Sequence, residues 1–195
     1  MGQEGSPRST GQEMRRQQVL AAAMHLGAEG GYDAVQMRGV ADRSGVALGT
    51  IYRYFSSKDD LLIAGLAGWI RRTRMRLEEE EVRCNSPHER LSVVLAGVAR
   101  STEASPMLMQ ALVRAHGSTS PASGPHKLDV ETEQQALMVT AIGDSYPNVQ
   151  EIARVLGHVW QSASTRWVTG LAPNGSLGTE FCNAIDLLVP ATTVG

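Results

Sequence analysis

Residues 36–58 read Gln-Met-Arg-Gly-Val-Ala-Asp-Arg-Ser-Gly-Val-Ala-Leu-Gly-Thr-Ile-Tyr-Arg-Tyr-Phe-Ser-Ser-Lys, and their spacing decides the fold of this chain. Met37, Val40 and Ala41 share one face of a short helix at the 3.6-residue period. Gly45 stands where that helix must stop, at the position that commonly needs a positive φ. Val46, Ile51 and Phe55 then mark the apolar face of a second short helix. Two short helices joined by a tight turn, with polar groups projecting from the second, have the form of a helix-turn-helix that lays one helix in the DNA major groove. They cannot bury a core alone, so flanking residues must complete the domain.

Working outward, the stripe Val19, Ala22, Ala23 and Leu26 predicts a preceding helix ended by Gly30-Gly31. After the motif, Asp59 and Asp60 suit the positive end of a long helix. Leu62, Leu66, Trp69, Ile70 and Leu77 give that helix a buried face to about residue 82. Its arginines at 71, 72, 74 and 76, followed by four glutamates at 78–81, read as a solvated face. Ser86-Pro87-His88-Glu89 is a helix start, with Ser as cap, Pro next and Glu three residues after the cap. Ser105-Pro106 repeats the device before a Met-rich helix, and 117–125 is a breaker-rich loop. Further stripes run through Val130, Leu137, Met138 and Ala141, through Ile152 to Trp167, and through Phe181, Ile185 and Leu188. The expected architecture is all-α: a three-helix DNA-binding head at 14–57 and a six-helix effector-binding and dimerisation body at 58–189, with tails at 1–13 and 190–195.

Composition limits the function. The net charge of the 195 residues is only −2, so nucleic-acid affinity must be local. Within 14–58, six basic side chains (Arg15, Arg16, Arg38, Arg43, Arg53, Lys58) face three acidic ones (Glu29, Asp33, Asp42), a modest excess suited to a small reading head. Two cysteines, Cys84 and Cys182, fit reduced thiols rather than a disulfide framework. With no membrane-length apolar run and no leader-like start, the expected location is the cytoplasm. The five histidines lack metal-ligand spacing and no phosphate loop is present, so neither catalytic residues, a metal nor a cofactor is expected.

Gly45-Val46-Ala47-Leu48-Gly49-Thr50-Ile51-Tyr52-Arg53-Tyr54-Phe55, followed by Ser57-Lys58 and Leu61-Leu62, resembles the signature of TetR-type transcriptional regulators. The signature covers about residues 14–62, and the helix order extends the likeness along the chain. Gly30-Gly31-Tyr32, residues 34–38, residues 40–43 and residues 181–188 more particularly resemble the cholesterol-catabolism repressor branch. The resemblance implies that Arg38 lies near the DNA backbone or a base edge. It puts Ala47, Leu48, Gly49 and Thr50 at the exposed start of the recognition helix, Tyr52 and Lys58 on phosphates, and Tyr54 towards the groove. Phosphate contacts fix register without reading sequence, whereas Thr50 can address a base edge. Two positions depart from the family: Gln36 and Ala47 stand where a Ser or Thr usually caps a helix, a loss of about 1 kcal/mol each. Leu48 also replaces a polar reader.

The resemblance further implies a homodimer whose last two helices form a four-helix bundle, reading a palindromic double-stranded operator. Trp160, Trp167, Phe181 and Ile185 are the candidate interface anchors, with packing inside one subunit the alternative. Leu66, Trp69, Ile70, Val94, Val98, Met107, Met109, Leu112 and Met138 are candidates to line an effector chamber, with an ordinary packed core the alternative. Few charges accompany them, which suits a hydrophobic effector, and methionine adapts to irregular ligands. The narrower resemblance implies steroid-derived acyl-CoA thioesters. The expected function is a DNA-binding regulator, most simply a repressor, released by a hydrophobic effector; a helical lipid- or partner-binding module without specific DNA binding is the rival.

Overall fold

In the computed structural model of the chain, residues 7–79, 84 and 86–191 are described. Within them the elements are α1 (Pro7–Ala34), α2 (Met37–Ser44), α3 (Leu48–Tyr54), α4 (Lys58–Glu79), α5 (Pro87–Glu103), α6 (Pro106–His116), α7 (Gly124–Ile142), α8 (Val149–Val168) and α9 (Ser176–Leu188), and no strand. The expected head of three helices and body of six is the observed order. Helix α1 starts at Pro7 and so takes in residues 7–13 of the expected tail; residues 1–6 and 192–195, and the end of the long helix at 80–82, lie outside the described residues.

Local chemistry explains the boundaries. Helical geometry fails at Gly30 (φ −145°) and Gly31 (φ 69°, ψ −160°), so α1 turns sharply before Tyr32. Gly45 takes φ 67°, and its N–H closes α2 on the Ala41 carbonyl. Ser57 Oγ accepts the Asp60 N–H at 3.1 Å while Asp60 reaches back to the Ser56 N–H at 2.9 Å, a reciprocal cap that starts α4. Ser86 caps α5 by accepting the Glu89 N–H at 3.2 Å, with Pro87 behind it. Ser105 makes no such side-chain bond, so α6 starts on Pro106 alone. The loop at 117–125 is shorter than its sequence suggests, because a 3-10 turn at Pro121–Ser123 leads directly into α7.

One hydrophobic core runs through head and body. Val19, Ala23, Val40, Ile51 and Phe55 close the head, and Leu61, Leu62 and Ile63 carry the core into α4. Glycine lets helices approach where α1 meets the body: a β-carbon on Gly27 would stand 3.0 Å from Leu108 Cδ1 of α6. The arginines of α4 do not form a merely solvated face. Arg71 Nε donates to Glu133 Oε1 of α7 at 2.7 Å and Arg74 Nε to its Oε2 at 3.3 Å, while Arg74 also meets Glu78 at 2.6 Å. Glu133 is buried, so this double pairing ties α4 to α7.

Candidate DNA-reading head and effector cavity

The reading helix is built without side-chain caps. Neither Gln36 nor Ala47 contributes a capping bond; α3 is opened by backbone bonds from Thr50 and Ile51 to the Ala47 carbonyl at 2.8 and 3.1 Å. Ile51 and Phe55 are fully buried, which turns Gly49, Tyr52 and Arg53 to solvent, with Thr50 and Leu48 half-buried beside them. Arg38 and Ala47 are exposed as well. Of the positions expected at the DNA surface, Arg38, Ala47, Gly49 and Tyr52 are therefore exposed, and Leu48 and Thr50 are half-buried.

Two expected contacts are placed differently. Tyr54 is half-buried and its hydroxyl is enclosed without a hydrogen-bond partner among the described residues, so it does not present itself to a groove. The reason is register: Tyr54 follows Ile51 by three residues and falls on the inward face, edge-on to Phe55 at 6.2 Å. Lys58 is turned inward too. Its Nζ donates to the Tyr32 carbonyl at 3.3 Å, stands 3.8 Å from the Tyr32 ring centroid and lies 4.0 Å from Asp33 Oδ1. The carbonyl after the α1 kink and the ring face both lie within reach of the ammonium. Arg43 is paired with Glu29 at 2.7 Å, which raises the guanidinium's pKa and lowers the carboxyl's.

The part that Tyr32, Lys58, Asp59 and Asp60 play in joining head to body was not read from the sequence, where Lys58 was expected on a phosphate and Asp59 and Asp60 at a helix start. Tyr32 lies between two cations, Lys58 on α4 and Arg114 on α6, whose guanidinium carbon is 4.1 Å from the ring centroid. Arg114 also faces Asp33 at 3.4 Å. The Tyr32 hydroxyl donates to Asp59 at 2.5 Å; burial, then this bond, pushes the phenol up to about 12. Across α7, His126 Nδ1 meets the buried Asp60 carboxylate at 2.5 Å, and its ring packs 6.0 Å from Phe55. The Gly-Gly-Tyr run and the histidine count were visible in sequence, but their partners lie 26 to 82 positions away and left no periodic trace.

Beyond this joint the body holds apolar cavities. One of about 190 Å³ is walled by Leu66 of α4, Met109, Leu112 and Val113 of α6, Val130 of α7 and Trp160 of α8. Its polar wall comprises His116, Glu131, Gln134, Gln161, Ser164 and Thr165. Burial lowers the pKa of His116, so it faces the cavity neutral at pH 7. A second cavity of about 110 Å³ shares Leu66, Met109 and Leu112 and adds Trp69, Leu108 and Thr102. A third, of about 260 Å³, lies between α4 and α5 at Trp69, Val94 and Val98. Six of the nine expected chamber residues thus line cavities. Ile70 and Met138 instead are fully buried in solid core, and Met107 is exposed, with its methyl group packed against Gly31.

The expected interface anchors are also corrected. Trp160, Trp167, Phe181 and Ile185 are all buried within the single chain. Trp160 stands edge-on to both Trp69 (6.2 Å) and Phe181 (6.0 Å), and the Trp167 indole donates to Asn174 Oδ1 at 3.0 Å. These rings hold α8 and α9 to the body, and the outward faces carry Val155 and Leu187 instead.

Residues 19–64 match the family model described as bacterial regulatory proteins, tetR family, and residues 84–188 match the tetracyclin repressor-like C-terminal domain. The chain belongs to the TetR family. It is 33% identical to the HTH-type transcriptional repressor KstR of Mycobacterium tuberculosis over 183 residues, covering 93% of this chain and 83% of the relative. A TetR transcriptional regulator from Rhodococcus sp. RHA1 superposes with a TM-score of 0.80 at 28% identity, covering 93% of this chain and 99% of that one. FadR of Bacillus subtilis, solved in complex with stearoyl-CoA, shares the fold with a TM-score of 0.61 at 21% identity, covering 89% and 97%. This TetR-family chain is therefore a DNA-binding transcriptional regulator, in keeping with relatives that are regulators and not enzymes. No helix among the described residues is long and apolar enough to cross a membrane.

Proposed function

We propose that the protein is a homodimeric repressor that binds a palindromic operator and leaves it when a hydrophobic acyl-CoA thioester enters the body. The observation that carries the reading is the position of α6. One stretch of this helix, Met109 to His116, walls the 190 Å³ cavity; the same helix grips the head through Leu108 against Gly27 and Arg114 over Tyr32. A molecule that parts α6 from α4 must therefore disturb the seat of the head. Only an effector with different affinity for the two arrangements shifts the equilibrium, so the thioester has to favour the parted form. The acyl-CoA class is supported by the apolar walls and by the stearoyl-CoA complex of the fold relative. Arg38, Thr50 and Tyr52 are the proposed DNA contacts, paired across a two-fold axis so that two half-sites are read about 34–36 Å apart.

An electrophoretic shift assay tests this directly. Operator duplex enriched from a random pool is expected to be palindromic and to be released by long-chain acyl-CoA at micromolar concentration. Retention of the complex at every thioester tested would defeat the effector class, and failure to enrich any duplex would defeat specific reading.

A further inference from the structure

We infer that Thr102 and Ser164 are effector-recognition hydroxyls, and that the cavity each residue lines selects a hydrophobe oxygenated along its skeleton over a plain hydrocarbon chain. The inference rests on the effector reading above and narrows its chemistry. Both side chains are almost wholly enclosed, at 4% and 3% exposure, and both hydroxyl oxygens lack a hydrogen-bond partner among the described residues. Five hydroxyls elsewhere on the helices and their ends satisfy themselves on the carbonyl four residues back: Thr73 on Trp69, Ser92 on His88, Thr132 on Leu128, Thr165 on Gln161 and Thr169 on Thr165, at 2.8–3.1 Å. Thr102 and Ser164 do not. Thr165 makes the contrast sharp, because it lines the same cavity as Ser164 yet its donor is already engaged.

The two hydroxyls belong to adjoining spaces. Thr102 of α5 lines the 110 Å³ cavity and Ser164 of α8 the 190 Å³ one, each with its hydroxyl oxygen covered by neighbouring atoms, and Leu66, Met109 and Leu112 stand in the wall of both. Each cavity is smaller than the ~300 Å³ at which ligand pockets usually begin. Rotation of Met109, an unbranched side chain with three torsions, joins them into one elongated chamber with a hydroxyl in each lobe. A plain acyl chain in that chamber would bury both hydroxyls unpaired. An oxygen on the skeleton in reach of either one removes that cost, and an unpaired buried polar group is what makes such a site reject the analogue lacking the oxygen.

Full-length protein is titrated with palmitoyl-CoA and with a positional series of monohydroxypalmitoyl-CoA thioesters, followed by the fluorescence of Trp69 and Trp160 in the cavity walls. At least one hydroxy isomer is expected to bind about tenfold more tightly than palmitoyl-CoA, equivalent to about 1.4 kcal/mol. That preference should collapse towards unity in Thr102→Val or Ser164→Ala, whichever hydroxyl the isomer reaches, while affinity for palmitoyl-CoA itself holds or rises. Equal binding of all the thioesters, or a preference that survives in the double variant, overturns the inference and leaves the effector reading intact. Binding of none overturns both. Should either variant fail to fold, the wild-type series alone still decides between preference and indifference.

Discussion

At the scale of single residues, the reading helix shows how much rests on one position. Ala47 already has the extended ψ (135°) of a cap but no oxygen to use there. Ala47→Ser supplies it, and the variant is expected to gain about 1 kcal/mol in urea unfolding. Tyr52, half exposed beside the recognition face, is proposed to hold a phosphate. Tyr52→Ala should weaken binding by a similar factor, about tenfold, on the operator and on base-substituted versions of it, because a phosphate contact carries no sequence information. Competition binding across such a duplex set would expose a base-reading role as unequal losses. The turn glycine was legible from spacing alone, since only a positive φ closes α2 where Gly45 stands. The inward turn of Lys58 was not, because the carbonyl that holds it belongs to Tyr32, whose position depends on the kink before it.

At the scale of elements, periodicity located each helix but not its neighbour. The seven-residue spacing of Trp160 and Trp167 marks one stripe of α8, and a stripe facing its own body is indistinguishable in sequence from one facing a partner. Chamber residues were half legible for a related reason. Leu66, Met109 and Leu112 face a gap, whereas Ile70 sits one turn further along α4 in solid packing. The α1–α4–α6 joint has a measurable signature. Tyr32 titrates near 12 in the folded chain and near 10 unfolded, so its contribution is fully present below pH 10 and is lost as pH rises through 12. Urea midpoints are expected to fall over that window, and Tyr32→Phe should flatten the fall while lowering stability at neutral pH. Between α4 and α7, Arg71→Ala together with Arg74→Ala leaves Glu133 buried without either guanidinium. Calorimetry should record a loss of about 3 kcal/mol, more than the isosteric Glu133→Gln produces.

At the scale of the whole molecule, the proposed pairing of two chains is the step that would convert a weak reader into a specific one. The outward side of α8 and α9 offers Val155 at 39% exposure and Leu187 at 82%. Leu187→Glu with Val155→Glu is expected to give a species of about 20.9 kDa in sedimentation, with helical content unchanged and operator affinity greatly reduced. A variant that stays at twice that mass would move the interface elsewhere.

The head is not a detachable cassette. A cut at residue 57 would sever Ser56 from the Asp60 that caps it, Tyr32 from Asp59, and Asp33 from Arg114. Grafting this reading motif onto a different sensor body therefore means transplanting the opening of α4 and the matching surfaces of α6 and α7 with it. Residues 27, 31, 108, 114 and 126 form one exchange unit with the motif, and new sensor–operator combinations made from this scaffold should be drawn along that seam.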